Sequence, residues 1–286
     1  MQFFWPLAQE CCGPDWEYMT ANSSSETLER IQGALDAARE VLNQFTPGAI
    51  AAEYKVGHDP VTEADRAVDA VLRKNLLRAN EGWLSEESAD DFSRLEKSRV
   101  WVVDPLDGTR EFVTGIPEFC VSVAMVENGR PVAGGICNPA TNQTIIGSLE
   151  TGVTSNGEAA RSTRKENLQG ALVLASRSEF KRGEWEPFKD APFRVRAMGS
   201  VAYKLGLVAA GLADITFTLT PKHEWDVAAG AALVLSAGGF VQTLENTTLV
   251  CNQRNPLLSG LIAGGPRVKA ELLVFLENHV QAAFKQ

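Results

Sequence analysis

Residues 101–109 read Trp-Val-Val-Asp-Pro-Leu-Asp-Gly-Thr, and this stretch decides how the rest of the chain is arranged. Its β-branched start predicts a strand, which ends in two carboxylates, Asp104 and Asp107, with a proline fixing the backbone between them. Gly108 then lets the chain turn before the hydroxyl of Thr109. Strands of α/β proteins carry their chemistry at the carboxyl edge, and carboxylate oxygens bind hard divalent cations. The stretch therefore predicts a strand that ends in an oxygen-rich site.

Two acids at this spacing also have an ordinary interpretation as turn formers, because Asp is common before Pro and before Gly in loops. Three other acidic segments weigh against it, namely Asp65, the pair Glu86-Glu87, and Asp226 after a tryptophan. Each segment adjoins an apolar strand or helix, so all of them could converge on one cation. Magnesium needs several oxygen ligands of this kind and neither sulfur nor imidazole.

The composition is that of an ordinary globular protein with room for one large domain or two fused lobes, since the chain has 286 residues, 44% of them hydrophobic and 22% charged. The formal net charge of -9 argues against a nucleic acid polymer as partner, because phosphate backbones are bound by clusters of Lys and Arg. The same charge would repel a phosphate ester unless bound cations reverse it locally.

The cysteines and the N-terminus indicate the compartment. Five cysteines without Cys-x-x-Cys spacing predict free thiols in a reducing cytoplasm. The apolar start lacks Lys and Arg and is interrupted by Pro6, so we expect neither a signal peptide nor a membrane anchor. Residues 1–22 are predicted to be an N-terminal arm, and packing on the protein, packing on a second subunit and fraying all stay open.

Periodicity predicts two halves. Residues 23–160 are expected to form an α+β half that carries the metal-binding motif, with a first helix beginning at Ser23, a second at Thr62 and a β-meander after residue 109. Residues 161–286 alternate strands and helices, which indicates an α/β half with a partly parallel sheet that completes the site. In it, a helix is predicted over 227–237.

Asp65 and Asp226 each lie near the predicted start of a helix. Acids are common there because they cap the first turn and favour the helix dipole, so neither position is diagnostic by itself. Small residues at 228–230 would let the later helix pack tightly and direct Asp226 inward.

The chain resembles the inositol monophosphatase family, a branch of the metal-dependent, lithium-sensitive phosphatases that includes fructose-1,6-bisphosphatase and the 3'(2'),5'-bisphosphate nucleotidases. The resemblance rests on a Glu-Glu pair, Asp-Pro-x-Asp-Gly-Thr, Trp-Asp and a late Gly-Gly, at residues 86–87, 104–109, 225–226 and 238–239. It implies an α/β protein of layered α+β type, the αβαβα sandwich of fructose-1,6-bisphosphatase and inositol monophosphatase.

The resemblance also implies an activity, namely hydrolysis of a phosphate monoester by metal-activated water without a covalent enzyme intermediate. Two or three Mg²⁺ ions would be bound by Glu86, Asp104, the carbonyl oxygen of Leu106, Asp107 and Asp226. Asp65, Glu86 and Thr109 would act on the attacking water. The backbone N–H groups of Gly108 and Thr109 would hold the phosphate.

Local motifs resemble bacterial bisphosphate nucleotidases most, which favours adenosine 3',5'-bisphosphate as substrate. The candidate substrate contacts are Ser176, Arg177, Gly199, Ser200, Lys204 and Glu224. Leu219 replaces the acid that inositol monophosphatases usually carry for sugar hydroxyls, and Glu179 replaces a histidine usual in nucleotidases. Inositol 1-phosphate, histidinol phosphate and other sugar phosphates therefore stay open.

Two other classes of protein share part of the pattern. Haloacid-dehalogenase-like phosphatases also end a strand in Asp, but their spacing is Asp-x-Asp, whereas this chain has Asp-x-x-Asp, so we expect no aspartyl-phosphate. A non-catalytic metal- or phosphate-binding regulatory protein stays open, because a fold does not establish an activity. A homodimer is also open, since no interface signal is evident.

Overall fold

The computed structural model describes residues 15–54, 60–245 and 247–283. Within them, the α-helices are α1 (Asp15–Leu42), α2 (Glu63–Leu76), α3 (Thr109–Thr114), α4 (Arg177–Lys181), α5 (Val201–Ala209), α6 (Glu224–Ser236) and α7 (Lys269–Ala283). The strands are β1 (Glu53–Tyr54), β2 (Pro60–Val61), β3 (Gly82–Ser85), β4 (Arg99–Asp107), β5 (Cys120–Glu127), β6 (Arg130–Asn138), β7 (Gln143–Ser148), β8 (Gly152–Ser155), β9 (Glu158–Ala160), β10 (Leu172–Ser176), β11 (Arg194–Met198), β12 (Ile215–Thr218), β13 (Lys222–His223), β14 (Phe240–Thr243), β15 (Leu257–Leu258) and β16 (Leu261–Gly264).

Two predicted helix starts are too late. Helix α1 begins at Asp15 and runs through the predicted boundary of the arm at residue 22, because no proline interrupts the segment and a Ser-Glu capping pattern does not stop a helix. Residues 1–14 of the predicted arm lie outside the described residues. Helix α6 begins at Glu224 rather than Val227, since the acidic side chains of its first turn favour a helix N-terminus.

The larger sheet has seven strands in the order β3-β4-β5-β6-β7-β8-β9. Only its β3–β4 pair is parallel, and the predicted meander forms the antiparallel remainder. Side chains alternate along β4: Trp101 and Val103 pack against α1 and α2, whereas Val100 and Val102 pack against α5 and α6. Both faces of this sheet are therefore covered by helices.

The second sheet has the order β11-β10-β12-β16-β14 and is partly parallel, as predicted. Leu174 and Ala263 face the layer of α5 and α6, whereas Val173 and Ile262 face a cluster with Leu272 of α7. The layers thus run α1/α2, seven-stranded sheet, α5/α6, five-stranded sheet, α7, which confirms the expected αβαβα sandwich.

Among the described helices, none combines the length and the apolar composition that a membrane span requires.

Candidate active site

The strand β4 carries an extra residue where its two aspartates lie. Asp104 pairs with Ser122 of β5, but the next pair joins Asp107 to Cys120, so three residues advance on β4 against two on β5. Residues three apart in a regular strand point to opposite faces. The extra residue of this β-bulge offsets that alternation, and it explains why the spacing is Asp-x-x-Asp.

Three carboxylates from distant parts of the chain meet at this bulge. Glu86, Asp104 and Asp226 each place one carboxylate oxygen within 4.8 Å of the others. Glu86 directly follows β3, which lies parallel to β4, whereas Asp226 is in the first turn of α6 and belongs to the second half of the chain. The predicted convergence of acids from both halves is therefore present.

The three carboxylates need a cation. Burial, followed by the charges of Glu86, Asp107 and Asp226, raises the pKa of Asp104 well above its ordinary value. Burial, Asp107 and Glu86 do the same for the pKa of Asp226. Buried like charges favour the protonated forms unless a positive charge lies between them. A divalent ion with oxygen ligands supplies that charge, so this donor set fits magnesium.

One oxygen of Asp107 is bonded to the second half of the chain. Its Oδ2 accepts hydrogen bonds from Ser200 Oγ at 2.7 Å and from the backbone N–H of Ala202 at 2.5 Å, at the start of α5. Burial raises the pKa of Asp107, but Ser200 and Lys204 oppose the shift. Asp107 thus links the acidic cluster to α5 of the second half.

Asp65 both caps a helix and contacts the site. Its Oδ2 accepts from the backbone N–H and the hydroxyl of Thr62 at 2.7 and 2.6 Å, which closes a capping box on α2. Its Oδ1 accepts from Thr109 Oγ1 at 2.9 Å. Burial raises the pKa of Asp65 despite these hydrogen bonds. Asp65 therefore both caps α2 and contacts Thr109, whereas its action on the attacking water stays a prediction. The role of Thr62 as its second partner was not predicted.

Asp226 repeats this local geometry, since its Oδ2 accepts from the backbone N–H of His223 at 3.0 Å, three residues earlier. A capping carboxylate is held in one orientation by its own helix. In both helices the cap thus fixes the direction of an acid that points at the site.

Gly108 is required by its conformation and by space. Its φ of 98° is in the left-handed region, and an added Cβ would lie 2.8 Å from the carbonyl oxygen of Glu118. This turn connects β4 to α3 and places the N–H of Thr109 at the first position of α3.

Two of the predicted substrate contacts lie beside Asp107. Ser200 has a φ of 56° and is 7% exposed, with its hydroxyl on Asp107. Lys204 is only 4% exposed, and its Nζ donates to the carbonyl oxygen of Ser200 at 2.8 Å. Burial lowers the pKa of Lys204. The ordinary expectation for a helical lysine, a solvated surface position, therefore does not apply.

Two others, Arg177 and Gly199, contact Glu118, and a third, Ser176, directly precedes Arg177. Arg177 makes ion pairs with Glu118 and, at 3.5 Å, with Glu111, while the backbone N–H of Gly199 donates to Glu118 Oε2 at 2.8 Å. Ser176 caps α4, with its hydroxyl 3.0 Å from that of Ser178. Arg177 therefore already has two carboxylate partners within the protein.

The last predicted contact, Glu224, faces the interior. It has no exposed surface, and its carboxylate oxygens accept from the backbone N–H groups of Asn252 and Gln253 at 2.6 and 2.8 Å. We therefore assign Glu224 to the positioning of this loop and not to substrate, because a fully enclosed and hydrogen-bonded carboxylate has no surface for a solute.

Lys222 was missed by sequence reasoning. It forms an ion pair at 3.5 Å with Glu179 and a 3.0 Å hydrogen bond with Thr220. Burial raises the pKa of both Asp107 and Asp226, and the charge of Lys222 partly opposes that rise. Its spacing of four residues before Asp226 was the only available signal. The Glu179 carboxylate is buried beneath it and holds hydrogen bonds from Thr218 and Thr220.

Comparison with known proteins gives consistent matches over most of the chain. The model of the family described as "Inositol monophosphatase family" matches residues 24–281. "Nus factor SuhB" of Escherichia coli K12 is 30% identical over 256 residues, which cover 85% of this chain and 92% of that protein. "Fructose-1,6-bisphosphatase/inositol-1-monophosphatase" of Thermotoga maritima is 32% identical over 217 residues, 73% of this chain and 82% of the relative. "Inositol-1-monophosphatase" of Rhizobium meliloti is 31% identical over 213 residues, 69% and 79% of the two chains.

Solved structures agree with the sequence matches. The IMPase of Thermotoga maritima superposes with a TM-score of 0.74 at 28% identity and covers 87% of this chain and 96% of its own. The extragenic suppressor protein suhB of Bartonella henselae superposes with a TM-score of 0.73 at 27% identity and covers 89% and 98%.

Proposed function

The chain belongs to the inositol monophosphatase family and is a metal-dependent phosphatase, and from its site we infer that it hydrolyses a small phosphate monoester at the carboxylates of Glu86, Asp104 and Asp226. The observation that carries this inference is the meeting of these three carboxylates from both halves of the chain within 4.8 Å. A negatively charged protein needs such a cation site to hold a negatively charged ester.

We propose Mg²⁺ as the metal, two or three ions held by Glu86, Asp104, the Leu106 carbonyl oxygen, Asp107 and Asp226. Carboxylate and carbonyl oxygens in a cluster without thiolate or imidazole support this choice. When bound, magnesium would lower the pKa of a water molecule and stabilise the charge that develops on the leaving oxygen.

The remaining roles belong to side chains. The hydroxyl of Thr109 donates to Asp65 at 2.9 Å, so its oxygen is oriented to accept a hydrogen bond from water. Asp65 is itself fixed by two hydrogen bonds from Thr62. We therefore assign orientation of the attacking water to Thr109 and Asp65 together with Glu86. The backbone N–H groups of Gly108 and Thr109 would bind phosphate oxygens.

For the substrate, we propose inositol 1-phosphate first, because two of the relatives carry the name inositol-1-monophosphatase. Adenosine 3',5'-bisphosphate, which local motifs favoured, is the second candidate. It keeps support from the two lysines at the site, Lys204 and Lys222, since both charges favour the ionised form of Asp107 and could attract a second anionic group.

The test is a comparison of kcat/KM for inositol 1-phosphate, adenosine 3',5'-bisphosphate, histidinol phosphate and fructose 1,6-bisphosphate with magnesium, with and without lithium. A preference of about 100-fold, worth about 2.7 kcal/mol, would assign the substrate class. The matched control is Asp104→Asn, which keeps the shape of the site but removes one buried charge. Equal phosphate release by Asp104→Asn and the wild type would overturn the proposal.

We propose a reducing cytoplasm and no nucleic acid polymer as partner. Cys120, Cys137 and Cys251 are buried free thiols, and the net charge is -9. A homodimer stays a prediction, to be checked by light scattering.

A further inference from the structure

An arginine outside the acidic cluster connects the chain segment that carries Glu86 to the one that leads to Asp226. Arg94 lies on a short 3₁₀ helix (Ser93–Glu96) between β3 and β4, and only 1% of it is exposed. Its Nε and Nη2 donate to Asp90 Oδ2 at 3.0 and 2.8 Å. Asp90 belongs to the loop that begins with Glu86, so this ion pair closes that loop on itself.

The same guanidinium reaches across to the second half of the chain. Its Nη1 donates to Asn252 Oδ1 at 2.7 Å, and its Nη2 donates to the carbonyl oxygen of Gln253 at 2.9 Å. Asn252 returns a hydrogen bond of 3.1 Å from its side-chain amide to the carbonyl oxygen of Arg94. The segment 252–253 is thus held on one side by three hydrogen bonds to a single residue.

On its other side, the segment is held by helix α6. Glu224, the first residue of α6, accepts from the backbone N–H groups of Asn252 and Gln253, and its own N–H donates to the carbonyl oxygen of Pro256 at 2.8 Å. Asp226 lies two residues further along this helix. A continuous path of partly buried hydrogen bonds therefore runs from the Glu86 loop through Arg94, the 252–253 segment and Glu224 to the Asp226 helix.

This path matters because Glu86 follows a strand and lies in a loop, whereas Asp104 lies within a central strand. A metal site requires its ligands to be held within about 0.5 Å of their working positions by supporting hydrogen bonds. Arginine is almost never fully buried unless it is paired, and its planar fork can bind three partners at fixed angles, which lysine cannot do. The burial and the three partners of Arg94 fit a role in orienting the loop.

We propose that Arg94 is a positioning residue that fixes the Glu86 loop relative to Asp226 and so sets the affinity of the site for divalent cations. Arg94 acts through the Asn252–Gln253 segment and Glu224, and it contacts neither substrate nor metal. The inference rests on the proposed function, because it assumes that Glu86 and Asp226 bind a metal.

The test measures Mg²⁺ binding by titration calorimetry for the wild type, Arg94→Lys and Asn252→Gly, at a temperature where circular dichroism shows each protein to be folded. Asn252 has a φ of 60°, so glycine keeps the backbone and removes only the side-chain contacts. Since loss of residues that orient metal ligands typically weakens binding by about 10–100-fold, we expect a rise of that size in the Kd of Arg94→Lys and a smaller one for Asn252→Gly. The kcat at saturating Mg²⁺ should stay within about threefold of the wild type.

Two matched controls separate this effect from general destabilisation. Asn142, in the turn between β6 and β7, is another asparagine with a left-handed backbone, and its side chain also accepts from an arginine, Arg39 of α1. Asn142→Gly removes that contact. Arg30→Met breaks an ion pair with Glu81, and neither residue is hydrogen-bonded to the 252–253 segment among the contacts described. Both should keep the wild-type Mg²⁺ affinity even where they lower the melting temperature.

The outcomes distinguish a failure of the positioning role of Arg94 from a failure of the proposed function. Wild-type affinity in both Arg94→Lys and Asn252→Gly would overturn the positioning role while leaving the proposed function intact, and so would an equal loss of affinity in Asn142→Gly. Absence of Mg²⁺ binding in the wild-type protein would overturn the proposed function itself.

Discussion

Replacement of Thr109 by valine tests whether its hydroxyl acts in the reaction or only in the fold. Valine keeps the β-branched shape but cannot donate to Asp65 Oδ1, which lies 2.9 Å from the hydroxyl oxygen. General acid–base catalysis by a positioned group, here the Thr109–Asp65 pair, contributes typically about 10²–10⁴-fold to a rate. We therefore expect kcat to fall by that factor, about 2.7–5.4 kcal/mol of transition-state stabilisation, while KM changes little.

The same substitution should leave the protein folded. A hydrogen bond to a charged group contributes about 1.5–3 kcal/mol to stability, and Asp65 keeps two hydrogen bonds from Thr62 after the change. The free energy of unfolding of a domain is typically about 5–15 kcal/mol, so the loss of this hydrogen bond should not unfold the protein. The activity of Thr109→Val should thus decrease far more than its folded fraction.

The assay is steady-state release of phosphate at saturating magnesium, with circular dichroism to report folding. Thr109→Ser keeps the hydroxyl and should stay within about tenfold of the wild type. Thr114→Val is the matched control, because Thr114 lies on the same helix and its hydroxyl donates only to backbone carbonyl oxygens of that helix among the contacts described. A Thr109→Val enzyme with more than about a third of the wild-type kcat would refute the assigned role.

Three further predictions follow from the acidic cluster and the helix packing. Asp226→Asn should lower kcat/KM at fixed magnesium by more than the roughly 100-fold typical of residues that only orient metal ligands, and unchanged magnesium dependence of phosphate release would contradict this. The folded-state pKa values of Asp104 and Asp226 are raised above 3.8, so the metal-free protein loses stability as the pH rises through these values. Magnesium should therefore raise the melting temperature, measured by scanning calorimetry, more at about pH 8 than at about pH 5. A rise at pH 8 that is equal to or smaller than the rise at pH 5 would refute this prediction. Gly230→Ala would place a Cβ 2.3 Å from Leu205 Cβ, and the overpacking should cost about 1–3 kcal/mol, more than the gain in helix propensity of about 1 kcal/mol. Urea unfolding should therefore show a less stable protein. Gly33→Ala, whose added Cβ would meet open space, should instead make the protein more stable.

The architecture could be predicted because its signals are local. Strand β4 is apolar at both alternating sets of positions, which indicates burial on both faces. Val100 and Val102 on one face pack against α5 and α6 of the second half, whereas Trp101 and Val103 on the other pack against α1 and α2. Apolar residues on a face of a strand indicate that this face is buried, but they do not indicate which helix buries it.

Positions beside a motif were harder to interpret. Glu224 and Arg177 were both candidate substrate contacts because they lie in segments that resemble bisphosphate nucleotidases. In the structure, Glu224 binds the 252–253 segment and Arg177 is paired with Glu118 and Glu111. Their partners lie between 28 and 66 residues away along the chain, so no local pattern could reveal them.

The amino-acid sequence alone indicated which side chains could bind a cation and which elements carry them, because strand ends and helix starts are encoded within a few residues. Only the tertiary structure decided that Glu86, Asp104 and Asp226 are the acids that meet, that Asp65 both caps α2 and accepts a hydrogen bond from Thr109, and that Arg94 connects the Glu86 loop to the 252–253 segment. The reason is physical: a buried charge is stable only beside its partners, and those partners are brought together by the packing of whole layers rather than by their neighbours in the chain.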